Sequence, residues 1–228
     1  MPRETLDRLV RRIQDEIVQL SGLVVAAVQH AMEALKQRDT RAARRIFDAD
    51  TQINDKRFAI ENAIIIAMAT QQPMAHDLRR LTACLEVTTE LERMGDYAKG
   101  IAKVVMRLGD TWVAIPLAEL EQMSGLAVDM LQRAVQAFIA EDAAAASRIP
   151  LEDGRVDELY NRVHSLIIAG MIADPDKIGL SNLLLWVDHN LERLADRVTN
   201  ICERTVFAAT GELLEFEGGD NEGWTSDG

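Results

Sequence analysis

The sequence is poor in the residues that most catalytic, disulfide-linked or β-rich proteins depend on. It has two cysteines in 228 residues, Cys84 and Cys202, placed far apart inside helical patterns. That excludes a disulfide framework and any zinc-type cysteine spacing, and predicts buried, reduced thiols. Aromatic residues make up 4% and there are five prolines, which argues against sandwiches and barrels. There is no glycine-rich phosphate loop, no nucleophile elbow and no zinc-protease motif. Neither Glu92 nor Glu192 is followed by a histidine three positions on, so the Glu-x-x-His step of ferritin-like di-iron enzymes is missing. The longest nearly apolar run, residues 20–28, is too short to span a bilayer. Near the start, Asp7, Asp15 and Glu16 interrupt any signal-peptide core. Positive charge is also scarce: 25 Lys and Arg face 37 Asp and Glu, a net charge of −12, which speaks against nucleic-acid binding.

What is present is a helical period. Apolar residues recur every three or four positions through six stretches, at about 4–36, 41–70, 73–108, 117–140, 142–173 and 178–209. Asp39 or Thr40 caps the second, Pro73 is placed to open the third, and Gly109, Pro175 and Gly211 mark breaks. Short connections make neighbours antiparallel, so the expected fold is all-α: six long helices in two tandem three-helix bundles. The expected divisions are 1–110, 111–211 and an acidic, aperiodic tail at 212–228. From Gly211 on there are six acids and no base. Pro150 falls inside the fifth stretch, where it should kink or restart the helix.

The two sets of three are copies. Asp39, Asp50, Ile53, Asn54, Asp55 and Ile60 correspond, 103 positions on, to Asp142, Asp153, Val156, Asp157, Glu158 and Val163. Leu91, Glu92, Arg93 and Asp96 correspond, 100 positions on, to Leu191, Glu192, Arg193 and Asp196. In each copy Glu and Asp stand four apart on one helical face, where like charges repel unless a cation or partner offsets them. Asp50/Asn54 and Asp153/Asp157 repeat that spacing on the preceding helix. Packed antiparallel, each bundle presents three or four oxygen donors: Asp50, Glu92 and Asp96 in the first, Asp153, Asp157, Glu192 and Asp196 in the second. Such clusters suit hard or borderline cations such as Mg, Mn, Ca or Fe. His189, three before Glu192, is an additional candidate ligand; the first copy has Thr89 there. With four acids and Pro150 beside them, the second patch is expected to be the better equipped and the more adjustable. Separately, Arg38, Arg41, Arg44 and Arg45 gather basic charge at the start of the second helix, as Arg79 and Arg80 do in the third. An acidic partner or a solvated face would account for either.

The duplicated three-helix pattern, the two Leu-Glu-Arg-x-x-Asp segments, the run Gln71-Gln72-Pro73-Met74-Ala75-His76-Asp77-Leu78-Arg79 and the closing Thr210-Gly211-Glu212-Leu213 together resemble the PhoU family. The likeness covers about residues 4–216. It implies a cytoplasmic, non-enzymatic regulator of phosphate uptake and the phosphate-starvation response. It further implies divalent or iron-type metal ions at the acidic motifs, and partners in a phosphate-transporter ATPase subunit and a sensor histidine kinase. A homo-oligomer, with a dimer favoured, and membrane association only through partners complete that picture. Asn54 departs from the family's acidic pattern. Read without the resemblance, the same residues also allow a metal-storage or oxidoreductase bundle, or a structural dimerisation module.

Overall fold

The computed structural model describes residues 2–216, with side chains from residue 4. The acidic tail expected at 212–228 lies outside the described residues from 217 on. The long helices are α1 (Pro2–Gln37), α2 (Thr40–Gln71), α3 (His76–Leu108), α4 (Leu117–Ala140), α6 (Asp153–Ala173) and α7 (Ile178–Thr210), with a single turn, α5 (Ala143–Ala146), between α4 and α6. Among the described residues there is no strand. α1, α2 and α3 form one three-helix bundle; α4, α6 and α7 form the other.

Local chemistry sets the ends. Asp39 accepts hydrogen bonds at 2.9 Å from the Arg41 and Ala42 amides and caps α2. Gly109 and Gly211 take positive φ at the ends of α3 and α7, where a Cβ would be strained. α3 begins at His76 rather than at Pro73. Gln72 turns left-handed and Ala75 has φ of 45°, so the chain spends the four residues 72–75 in a turn before the helix can start. The fifth helix does restart at Pro150: α5 ends, residues Ile149–Glu152 form a 3₁₀ turn, and α6 begins at Asp153.

By length and composition α1 is the one helix among the described residues that could cross a bilayer, although it has no long unbroken apolar run. Half of its most apolar window is already buried inside the bundle. Leu6, Val10, Ile13, Ile17, Leu20, Val24 and Val28 form its inward stripe.

The bundles are fused through α3 and α7, the most extensively packed pair of helices. The two run antiparallel. Arg204 meets Glu86 at 2.9 Å, Asn200 and Arg197 meet Glu90 at 3.2 and 3.5 Å, and Asn190 packs against Gly100. Lys36 on α1 reaches Glu121 on α4 at 2.8 Å. Arg38 donates to the carbonyls of Thr111 and Val113, both at 2.6 Å, and ties the inter-bundle linker to the α1–α2 corner.

Candidate functional site

Both acidic patches lie where the second helix of a bundle packs against the third. In the first bundle Gly95 allows this approach: a Cβ there would sit 2.9 Å from Ile53 Cδ1. The helices therefore bring Asp50, Glu92 and Asp96 to one side, with two basic residues among them. The Lys99 ammonium is 2.5 Å from the buried Asp50 carboxylate and 3.8 Å from Asp96. Arg57 spans Glu61 at 2.7 Å and Glu92 at 3.2 Å. The hydrogen bond to Asp50 raises the Lys99 pKa above its ordinary value, and Arg57 is held charged in the same way by Glu61. Asn54 donates to Asp50 at 3.0 Å, so the residue that breaks the acidic pattern serves as a hydrogen-bond donor. Asp50 also lines a cavity of about 220 Å³ with His30, Ile53, Gly95 and Lys99. A metal ion at Asp50 would have to displace Lys99.

The second patch has neither of these cations at the same places. Arg57 corresponds to Tyr160 and Lys99 to Thr199. Asp153 is buried at the start of α6, and Asp157 is half-buried one turn on. On α7, Glu192 is half-buried with His189 Nδ1 at 3.5 Å, and Asp196 has Arg193 Nε at 4.0 Å. The Thr199 hydroxyl is buried with no hydrogen-bond partner.

One residue here was not among the sequence candidates. Asp188 is 0% exposed, and neither carboxylate oxygen has a hydrogen-bond partner. Burial pushes its carboxyl up to about 8, and the charge of Glu192 adds to the effect. Burial also raises the Tyr160 hydroxyl, with Asp188 and Glu192 contributing, so the three groups sense one another across α6 and α7. The sequence signal was available: Asp188, Glu192 and Asp196 form a stripe at i, i+4 and i+8. The first copy has Thr88 in place of Asp188, and its hydroxyl satisfies itself on the Cys84 carbonyl at 2.7 Å.

Among the described residues no three side chains of His, Cys, Asp or Glu gather closely enough to ligate a shared ion. The two cysteines are buried, and burial pushes each thiol to about 12, far from a reactive thiolate.

The chain matches the family profile described as PhoU domain twice, over residues 5–105 and 120–205. It is 30% identical over 217 residues to the phosphate-specific transport system accessory protein PhoU homolog of Clostridium acetobutylicum, covering 95% of this chain and 99% of the relative. It is 33% identical over 214 residues to the homolog of the same name from Streptococcus pneumoniae, covering 94% and 99%. The crystal structure of the phosphate transport system regulatory protein PhoU from Streptococcus pneumoniae superposes with a TM-score of 0.86 at 33% identity, over 92% of this chain and all of that one. That of PhoU from Pseudomonas aeruginosa does so with a TM-score of 0.85 at 26% identity, over 90% and 99%.

Proposed function

This chain belongs to the PhoU family, and from that premise we propose that it is a cytoplasmic, non-enzymatic regulator that couples a phosphate transporter's ATPase subunit to a sensor histidine kinase. The observation that carries the reading is the doubled family match, spread over both bundles at 30–33% identity to phosphate-transport accessory proteins. A fold of two fused bundles offers two related helical faces, which suits an adaptor with two partners, and a homodimer would double them. Loss of the protein should leave alkaline phosphatase expression high in phosphate-rich medium. Normal repression in the deletion strain would remove the regulatory reading.

Metal belongs to this proposal in the second bundle. Asp188 supports it: a wholly buried carboxylate without a partner calls for either a proton or a cation. Asp153, Asp157, Glu192 and Asp196 are the acids that would hold a divalent or iron-type ion beside it, with His189 at the rim. Like-charged carboxylates stand apart until a cation offsets their repulsion. The ion would supply positive charge that fixes α6 against α7; no catalytic step is assigned to it. In the first bundle Lys99 and Arg57 already supply that charge. Elemental analysis of the purified protein should find metal that is lost in a Glu192→Ala/Asp196→Ala variant and kept in Glu92→Ala/Asp96→Ala. Equal metal content in all three proteins would remove the assignment.

A further inference from the structure

The duplicated grooves have diverged in charge, and the first has become basic over part of its length. Arg41, Arg44 and Arg45 lie at i, i+3 and i+4 on α2, and Lys103 and Arg107 continue the α3 stripe that begins at Lys99. Phe47 joins the two rows: Arg44 lies 5.9 Å from its ring centroid, and Lys99 and Lys103 each lie 5.4 Å away. Lys99 is engaged with Asp50. The other five cations are all exposed, and among the described residues none lies within ion-pair distance of a carboxylate. In the second copy the corresponding residues are Ala144, Ser147, Arg148, Glu203 and Phe207, with Pro150 in place of Phe47. Five exposed cations gathered on one face of a chain of net charge −12 make a local positive patch, which attracts acidic groups of a partner.

We infer that this α2–α3 face, centred on Phe47, docks an acidic helical segment of a partner protein. Lys103 and Arg107 are one helical turn apart, about 6 Å along the axis, which matches carboxylates spaced four apart on a facing helix. A lone phosphate ion fits less well, because Asp39 already takes the first amides of α2 that would cradle it. A lipid surface also fits less well. None of the exposed large apolar side chains lies between 41 and 47 or between 99 and 107, so nothing there inserts into a bilayer.

The inference rests on the adaptor reading only for which partner supplies the acidic segment, so the test has two arms. Binding of the full chain is measured to the transporter's ATPase subunit, to the cytoplasmic part of the sensor kinase, and to a synthetic helical peptide with Glu at every fourth position. Wild type is compared with Arg44→Glu/Lys103→Glu and with Arg8→Glu/Arg11→Glu, a charge-matched control on α1. Helicity and Tm verify that each variant is folded. The expected result is a loss of tenfold or more for Arg44→Glu/Lys103→Glu, no change for the control, and weaker wild-type binding as salt rises. Peptide binding that depends on the patch, with no binding to either protein, would retain the basic face and overturn the adaptor reading. Partner binding indifferent to Arg44→Glu/Lys103→Glu would overturn the basic face, as would no patch-dependent binding in either arm. Displacement of the peptide by submillimolar inorganic phosphate, or patch-dependent binding to anionic vesicles but not to the peptide, would replace the protein segment with an ion or a lipid surface.

Discussion

At the residue scale, the two bundles differ most at a few paired positions. Gly95 against Ile53 corresponds to Ala195 against Val156: where one helix gained a methyl, the facing position lost one. Gly95→Ala should therefore destabilise the protein by about 1–3 kcal/mol through overpacking, despite the better helix propensity of alanine. Adding Ile53→Val should recover much of that, and a double-mutant cycle in urea measures the coupling. Asp188 makes a pH prediction. Its folded pKa of about 8 stands above the ordinary carboxyl value, so folding favours the protonated form. The associated stability is full below about pH 4 and is lost as pH rises through about 8, on the order of 6 kcal/mol at most. In chelator-treated protein the wild type should lose Tm between pH 5 and 8, and Asp188→Asn should flatten that slope. A slope unchanged by the substitution would show that Asp188 is not its source.

At the element scale, the break between α5 and α6 is held rather than loose. Arg133 on α4 grips Glu152 with two hydrogen bonds, 2.7 and 2.8 Å, just ahead of Asp153. That hydrogen bonding holds the Glu152 carboxyl below its usual range. Its contribution is present above the ordinary carboxylate range and is lost as pH falls through the folded value. Glu152→Gln should raise amide exchange across residues 147–156 at pH 7 while leaving α4 protected. As pH falls through the lowered Glu152 value, the variant and the wild type should converge. Equal exchange at pH 7 would mean that Pro150 and the 3₁₀ turn hold the break without Arg133.

At the scale of the whole molecule, α3 and α7 make the bundles one body through a polar seam. Glu90 and Arg197 are largely buried there, and Asn200 shares the Glu90 carboxylate. Replacing Glu90 by Ala leaves Arg197 desolvated without its anion, a loss of about 3 kcal/mol. Thermal unfolding should show a lower Tm, and a transition split in two would report that the bundles had uncoupled.

The sequence by itself determined the all-α class, the six long helices, the break at Pro150, the duplication and the likeness to PhoU. All of these follow from local rules: apolar spacing of 3.6, caps, prolines, and the match of one half to the other. It placed the start of α3 three residues early, because the turn through Gln72 and Ala75 uses backbone conformations that residue type does not announce. It also singled out the paired acids by their spacing. What only the tertiary structure decided is the state of those acids. Periodicity says which face a carboxylate occupies, but not which side chains of a neighbouring helix reach it or how much water remains. Lys99 and Arg57 span from α3 and α2 to neutralise the first patch, while burial between helices leaves Asp188 in the second without a partner. The same helical spacing, placed in two electrostatic surroundings, therefore gives one patch that carries its own cations and one with a carboxylate that still lacks one.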